Sequence, residues 1–444
     1  MQKLFGTNGV RGISNESMTP EMALRLGKAI GTYFQGNIVI ATDTRTSNEM
    51  LKDVVISALI STGCNVFDAG IAPSPALQYY VKESDADGGV IITASHNPPE
   101  FNGIKVVDGD GAELAREKEE EIEKLYFEER FRVAAWNEIG KVYDMDVLDF
   151  YIEGVLSKVD VDKIREKKFR VVLDCGNGAG CYTMPYIMQQ VADVITLNAQ
   201  PDGNFPGRNP EPTPENIGVL MKMVRECKAD VGIAYDGDAD RAIFVDGEGS
   251  YVYGDKSLAI VAGYLVEKHG GAVVTPVSTS SCVEEHVKEK GGSVVYTRVG
   301  APIVARTMME TGALFGGEEN GGLIFSSHQY CRDAGMASAA MLEVMAAREC
   351  TLSELVKEIP SYALVKTKVR CEKRDIIERL KEKLQGERCD YTDGIKVYAE
   401  DGWVLMRPSG TEPILRIYAE STTEEGAQKL ISRYRSLVEE ELEK

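Results

Sequence analysis

No uninterrupted apolar run in the 444 residues approaches the ~18 to 20 needed to cross a bilayer, so a membrane-spanning helix is excluded. The first residues enter a Gly-rich polar loop and lack the apolar core of a signal peptide, and a cytoplasmic location is expected. The nine cysteines are odd in number and contain no C-x-x-C pair, which fits neither a disulfide framework nor a zinc site. Reduced thiols are the plain reading. Low-complexity tracts and Pro/Ser-rich linkers are missing, and 43% hydrophobic with 27% charged residues describes a chain folded throughout. Positive charge is in deficit, 50 Lys and Arg against 70 Asp and Glu, and the formal net charge of -20 would repel a nucleic-acid backbone over most of the surface. No nucleic-acid and no membrane partner is therefore expected, and an anionic small molecule must find a local basic pocket.

Several catalytic signatures are absent too. There is no G-x-S-x-G elbow. The glycine-rich segment 6–12 lacks the lysine and hydroxyl residue that end a P-loop, and GNGAG at 176–180 lacks dinucleotide spacing, so it reads as a strand-to-helix turn.

What is present is a repeat. A β-branched run, a small polar loop, an amphipathic helix and a second apolar run recur from Ile38 to Phe67, from Arg170 to Leu197 and from Ala272 to Tyr296. Parallel strands joined by crossover helices place their loops at the carboxyl ends of the strands, where open α/β sheets bind ligands. The last stretch differs: strand 363–370, helix 375–384, two or three strands over 394–418 and a charged helix. Domain cores stop growing near ~250 to 300 residues, so several domains are expected. The reading is α/β: three related α/β domains over 1–150, 151–252 and 253–365, plus a C-terminal α+β domain over 366–444, around a central cleft.

Four loops carry residues suited to chemistry. DGDADR at 236–241 puts Asp236, Asp238 and Asp240 at alternate positions, where they repel one another unless a cation intervenes, and oxygen-only ligands favour a hard ion such as magnesium. An EF-hand fails because Arg241 and Gly247 stand where Gly and Glu are required; a solvated turn is the plain alternative. Asp108-Gly-Asp-Gly and Asp246-Gly-Glu-Gly read as ordinary hairpin turns. In TASHNPPEFNGIK at 93–105 the paired prolines block a normal helix start and leave Ser95 on a rigid loop with an accessible hydroxyl. His96 is a poor base for it, because adjacent side chains on an extended chain diverge. RPSGTEP at 407–413, followed by Arg416, offers backbone N–H groups, hydroxyls and a guanidinium for a phosphate-sized anion, or else a mere hairpin connection. GGEENGG at 316–322 offers a carboxylate and an amide suited to sugar hydroxyls.

With FGTNGVRG at 5–12, these motifs in this order resemble the α-D-phosphohexomutase superfamily along essentially the whole chain. The resemblance implies four domains, each giving one loop to a cleft, and an enzyme that moves a phosphoryl group between the 6- and 1-positions of a hexose phosphate through a hexose 1,6-bisphosphate. Ser95 would be the phosphoserine, and Asp236, Asp238, Asp240 and the seryl phosphate would hold one Mg2+. Glu318 and Asn320 would contact sugar hydroxyls, and Arg407, Ser409, Gly410, Thr411 and Arg416 would grip the phosphate not being transferred. Arg11, Lys105 and Arg241 would lie near the transferring phosphate, with Lys105 the proton-transfer partner and His96 a supporting group. The chain departs from many relatives at Gly322, where they carry His, and His328 is the candidate replacement; the third-domain loop RVGA at 298–301 lacks an Asp that often follows the Gly, and ATDTR at 41–45 lacks an Arg at its second position. It is most similar to phosphoglucosamine mutases and to archaeal-type phosphomannomutases and phosphoglucomutases. Glucosamine 6-phosphate is the favoured substrate. A non-catalytic sugar-phosphate-binding regulator and a phosphatase are the competing readings; an enclosed cleft would make water a poor competitor.

Overall fold

The computed structural model describes residues 3–6, 8–371, 373, 375–409 and 413–443. Each β-branched run becomes a strand of one of four sheets. The first sheet has six strands in the order Val10–Ile13, Phe101–Asp108, Gly88–Ile92, Asn37–Thr42, Asn65–Ile71, Val142–Asp144. Its middle is parallel, because the helices Asn48–Ser61 and Ser74–Glu83 carry the chain back across the sheet. Its first two strands run antiparallel, with Ile91 opposite Lys105 and Arg11 opposite Gly103, which delivers Lys105 and Arg11 to the end of the sheet where the 93–100 loop begins.

The second sheet orders Tyr251–Val252, Ala242–Asp246, Val231–Tyr235, Arg170–Asp174, Asp193–Leu197; the third orders Ser293–Thr297, Ala272–Pro276, Phe315–Gly317, Leu323–Phe325, Gln329–Arg332. In the fourth, Ala363–Arg370, Ile414–Ser421, Gly402–Pro408, Ile395–Ala399 and Cys389–Asp390 are antiparallel throughout, backed by the helix Glu424–Glu443. Three α/β units and a C-terminal α+β unit are thus what the chain forms. In the second repeat, a 3-10 turn Ala179–Tyr182 precedes a helix of only five residues, Met184–Met188.

The first three units share one core. Its centre is the helix Ala334–Arg348, apolar on all sides, with twelve of its 15 residues buried. Asp333 caps it by accepting from Met336 N at 2.9 Å, and the same carboxylate accepts from Tyr151 Oη at 2.5 Å and Gln329 Nε2 at 2.7 Å. The fourth unit has its own core around Leu380, Val404, Ile417 and Tyr434. It meets the third through Val277, Trp403 and Leu405, through Lys396 Nζ donating to Val277 O at 2.7 Å, and through Ser281 N donating to Glu420 Oε1 at 2.9 Å. No helix among the described residues is long and apolar enough to cross a membrane, and all nine cysteines are free.

Candidate active site

The strand Gly88–Ile92 ends in a loop whose shape is imposed by Arg45. This fully buried guanidinium donates from Nη1 to Pro98 O at 2.6 Å and Phe101 O at 2.8 Å, and from Nη2 to Ser95 O at 2.9 Å and Asn97 O at 2.6 Å. Its Nε pairs with Asp43 Oδ2 at 3.0 Å, and that oxygen also accepts from Thr93 Oγ1 at 2.6 Å. Thr93 Oγ1 in turn accepts from Ser95 N at 2.9 Å. Ser95 is thereby held at φ 51°, a left-handed conformation that a side chain seldom adopts without such support.

That backbone turn reverses two expectations. His96 does not diverge: its Nδ1 lies 3.4 Å from Ser95 Oγ, because the chain at Ser95 is left-handed rather than extended. Nor is the Ser95 hydroxyl accessible; the residue is 0% exposed, because the 236–241 loop of the second unit closes over it. Ser95 Oγ donates to Asp236 Oδ2 at 2.9 Å. The approach requires glycine at 237, where a Cβ would sit 2.5 Å from Ser95 O.

Asp236, Asp238 and Asp240 follow the strand Val231–Tyr235, and a turn with Ala239 at φ 53° brings one carboxylate oxygen from each within 4.8 Å of the others, all buried. Asp238 Oδ2 accepts from Lys105 Nζ at 2.6 Å and Ser74 Oγ at 2.5 Å; Asp240 Oδ2 accepts from Lys105 Nζ at 3.2 Å and Arg332 Nη2 at 2.6 Å. The other oxygens, Asp238 Oδ1 and Asp240 Oδ1, are buried without a hydrogen-bond partner. Buried carboxylate oxygens without donors are costly unless a cation takes them, so an oxygen-only set with two orphaned atoms fits a hard divalent ion.

The electrostatics follow from this crowding. Burial, then repulsion from Asp240 and Asp238, raises Asp236 well above the usual carboxylate range. Burial also opposes the charge on Asp238, yet Lys105 and Ser74 hold its carboxyl below that range. Burial works against the Lys105 ammonium, but Asp238 and Asp240 outweigh it and the pKa is raised. Burial lowers Arg11 to about 10, which leaves it charged at neutral pH; its Nη1 donates to Asn97 Oδ1 at 2.9 Å and Ala94 O at 3.3 Å. Burial, with Arg241, Arg11 and Arg332 nearby, pushes His96 down to about 2, so its imidazole is neutral. Arg241 Nε stands 3.6 Å from Asp240 Oδ1 and 3.9 Å from Asp236 Oδ2.

Glu318 of the 316–322 loop joins this cluster through Arg332, whose Nη1 donates to Glu318 Oε2 at 3.2 Å. Asn320 is half-buried beside it, with Nδ2 donating to Glu318 Oε2 at 3.5 Å. His328 takes no part. Its ring stacks on Tyr79 at 4.4 Å and its Nε2 lies 3.3 Å from Asp333 Oδ2, inside the shared core, so it does not stand in for a histidine at Gly322.

Arg407 is the penultimate residue of the strand Gly402–Pro408, directly opposite Arg416, and pairs with Asp393 at 2.9 Å. Ser409 N donates to Ile414 O at 2.9 Å across this turn. Gly410 and Thr411 lie outside the described residues. Arg407 faces a cavity of about 560 Å3 between the first, third and fourth units, which Gly6, Arg298 and Arg306 also line. The structure thus gathers Ser95, Lys105, Arg241, the three aspartates and Glu318 into one buried cluster with the half-buried Arg11 and His96 beside it, while Arg407 and Pro408 lie on the wall of a cavity that none of these residues lines.

Two members of the cluster went unread in the sequence, Arg332 and Ser74. Each contacts an aspartate 92 or 164 positions away, so no local pattern marks them; only the placement of Arg332 before the helix cap Asp333 hints that it sits at a strand end.

Four family models match consecutively: phosphoglucomutase/phosphomannomutase alpha/beta/alpha domain I over residues 2–133, domain II over 149–249, domain III over 253–362 and the C-terminal domain over 367–436. A phosphoglucomutase/phosphomannomutase of Thermococcus kodakarensis is 46% identical over 454 residues, covering 100% of both chains. A phosphoglucosamine/phosphogalactosamine mutase of Sulfurisphaera tokodaii is 42% identical, covering 99% of this chain and 100% of the other. The crystal structure of a phosphoglucomutase/phosphomannomutase family protein from Burkholderia thailandensis superposes with a TM-score of 0.89 at 25% identity, covering 99% of this chain and 98% of that one.

Proposed function

This chain belongs to the phosphoglucomutase/phosphomannomutase family and is a phosphohexomutase, and from that premise we propose that it interconverts hexose 6- and 1-phosphates through a phosphoserine at Ser95, with glucosamine 6-phosphate as its preferred substrate. The observation that carries the reading is the 2.9 Å bond from Ser95 Oγ to Asp236 inside the carboxylate triad, which puts a hydroxyl and a hard-cation site at one point.

In the first half-reaction the bond from Ser95 Oγ to phosphorus breaks as one forms to a sugar oxygen, and the sugar hydroxyl's proton ends on Ser95 Oγ, the form that donates to Asp236 here; in the second, Ser95 Oγ bonds the other phosphorus as its bond to the sugar breaks, and the seryl proton returns to the sugar oxygen. Asp236, Asp238 and Asp240 would hold Mg2+, which when bound would supply charge stabilisation for the moving phosphoryl group. Arg11, Arg241 and Lys105 surround the same point and need no reorganisation to share that charge. Lys105, paired with two carboxylates, acts as an ammonium donor toward oxygen rather than as a base. Neutral His96 can hydrogen-bond to Ser95 Oγ without adding charge. Glu318 and Asn320 orient sugar hydroxyls, while Arg407, Ser409, Gly410, Thr411 and Arg416 hold the distal phosphate as the hexose 1,6-bisphosphate turns around and the other phosphate returns to Ser95.

The choice of amino sugar is supported by the Sulfurisphaera relative, named for phosphoglucosamine and phosphogalactosamine. The Thermococcus relative's name favours a second reading, phosphomannomutase/phosphoglucomutase. Intact-mass analysis is expected to find one phosphoryl group on Ser95, and Ser95→Ala to lose turnover while still binding sugar phosphate. A coupled assay on glucosamine, mannose and glucose phosphates, each primed with its own bisphosphate, ranks the substrates. An unphosphorylated yet fully active enzyme, or an active Ser95→Ala variant, would refute the mechanism; preference for mannose or glucose phosphate would refute only the sugar.

A further inference from the structure

Gly322 ends the sugar loop, and Arg332 ends the strand Gln329–Arg332 that faces it. A Cβ at Gly322 would lie 2.2 Å from Arg332 Cδ and 2.8 Å from its Cγ. The stem of the arginine therefore fills the space in which any side chain at 322 would begin. From there its guanidinium forks, with Nη2 donating to Asp240 Oδ2 at 2.6 Å and Nη1 to Glu318 Oε2 at 3.2 Å. All three side chains are buried, with Arg332 4% exposed. Two buried carboxylates from different units would repel without a cation between them, and a planar fork spans both where a lysine's single nitrogen would not. By taking Asp240 Oδ2, Arg332 leaves Oδ1 of that residue, which accepts no hydrogen bond and has Arg241 Nε at 3.6 Å, as the atom for a metal.

We propose that Arg332 is a positioning residue for phosphoryl transfer: it locks the sugar-contacting Glu318 onto the Asp236–Asp240 loop, and the bare Gly322 is what makes room for it. This rests on the roles proposed above for Glu318 and the aspartates. It makes the two positions interdependent, since a side chain at 322 must displace the arginine and removal of the arginine makes that side chain tolerable.

The experiment is a double-mutant cycle with Gly322→His, Arg332→Gly and the two combined, assayed for kcat and KM on glucosamine 6-phosphate, with melting temperature as a check of folding. Each single change is expected to lower kcat/KM by at least about tenfold, and the double variant to regain about tenfold over Gly322→His alone. Gly322→Ala supplies the same cycle if the histidine variant does not fold. Arg332→Lys, which keeps the stem and one charge, is expected to melt near the wild-type temperature but to raise KM and to weaken calorimetric binding of glucosamine 6-phosphate in a Ser95→Ala background. Losses that simply multiply in the double variant, or an Arg332→Lys enzyme with unchanged KM and binding, would overturn the proposal. A wild-type enzyme without phosphoserine or turnover would instead count against the function proposed above, so the two failures are distinguishable.

Discussion

Replacing Arg45 by Met tests whether the Ser95 loop is held from behind rather than by its own prolines. The substitution keeps much of the stem but removes four bonds to the carbonyls of Ser95, Asn97, Pro98 and Phe101 and the partner of Asp43. Summing charged hydrogen bonds would overstate the loss, since Asp43 keeps Thr93, Asn48 and the Arg45 backbone as donors and the carbonyls can recruit water. Breaking one side of a buried pair costs about 3 to 5 kcal/mol. At about 2 to 4 °C per kcal/mol for a unit of 150 to 250 residues, the first thermal transition is expected to fall by about 6 °C or more. The functional loss has a separate cause. A left-handed non-glycine residue costs about 1 to 2 kcal/mol, and without Arg45 Nη2 on its carbonyl Ser95 relaxes and carries its hydroxyl away from Asp236. A displacement of that kind is expected to lower turnover about 100-fold and to leave Ser95 largely unphosphorylated by intact mass. Arg45→Lys, with its charge kept but its fork lost, falls between. An Arg45→Met protein that melts with the wild type, or that melts early yet carries full phosphoserine and turns over normally, would refute the reasoning.

Asp236→Asn and Asp238→Asn are expected to move the metal-free protein in opposite directions in melts with chelator: the first relieves carboxylate repulsion and raises the melting temperature, while the second strips Lys105 of its closer partner and lowers it by about 3 kcal/mol of stability; shifts of the same sign would contradict the charge assignment. Burial at the contact between the third and fourth units pushes Lys396 down to about 8, below its unfolded value, so the unfolded chain binds more protons over the interval and stability rises as pH increases from about 8 to 10, by at most about 3 kcal/mol. Lys396→Met should flatten that rise in pH-dependent melts, and an unchanged profile would remove Lys396 as its source. Calorimetric titration of magnesium should show tighter binding to the phosphorylated enzyme than to its dephosphorylated form; equal affinities would place the metal away from Ser95.

The repeat was legible because each copy concentrates β-branched residues in a short run, a signal that survives without neighbours. DGDADR was legible for the opposite reason: three like charges at alternate positions between apolar runs repel one another wherever they are buried together, unless a cation intervenes. The paired prolines drew attention to Ser95 but only the resemblance gave it a role, and its burial was misjudged because its cover comes from a loop 141 positions later. His96 was misread because the backbone sign at Ser95 is set by Arg45, not by the local sequence. His328 looked available as a loop histidine, but its place is fixed by Tyr79 and Asp333 on two different units. Arg332 and Ser74 carry no local mark, since long-range partners define them.

A chain with a net charge of -20 can bind a doubly charged ester because the site's own balance differs from the surface's. Arg11, Lys105, Arg241 and Arg332 stand against Asp236, Asp238, Asp240 and Glu318, four cations to four carboxylates, all buried but for the half-buried Arg11. The set is neutral when every carboxyl is ionised, and the raised Asp236 shows how hard that last ionisation is without help. A seryl phosphate adds roughly two negative charges and a divalent cation adds two positive ones, so the pair enters without changing the balance, whereas either alone leaves uncompensated charge in a buried place. On the mechanism proposed above, the same arithmetic would hold when the phosphoryl group leaves for the sugar, since Ser95 lies against the 236–241 loop that carries the aspartates and Arg241. What the transfer changes is the oxygen that carries the phosphoryl group, not the charge the site must hold, and that is the condition under which a preformed cluster can serve both directions of a mutase equally well.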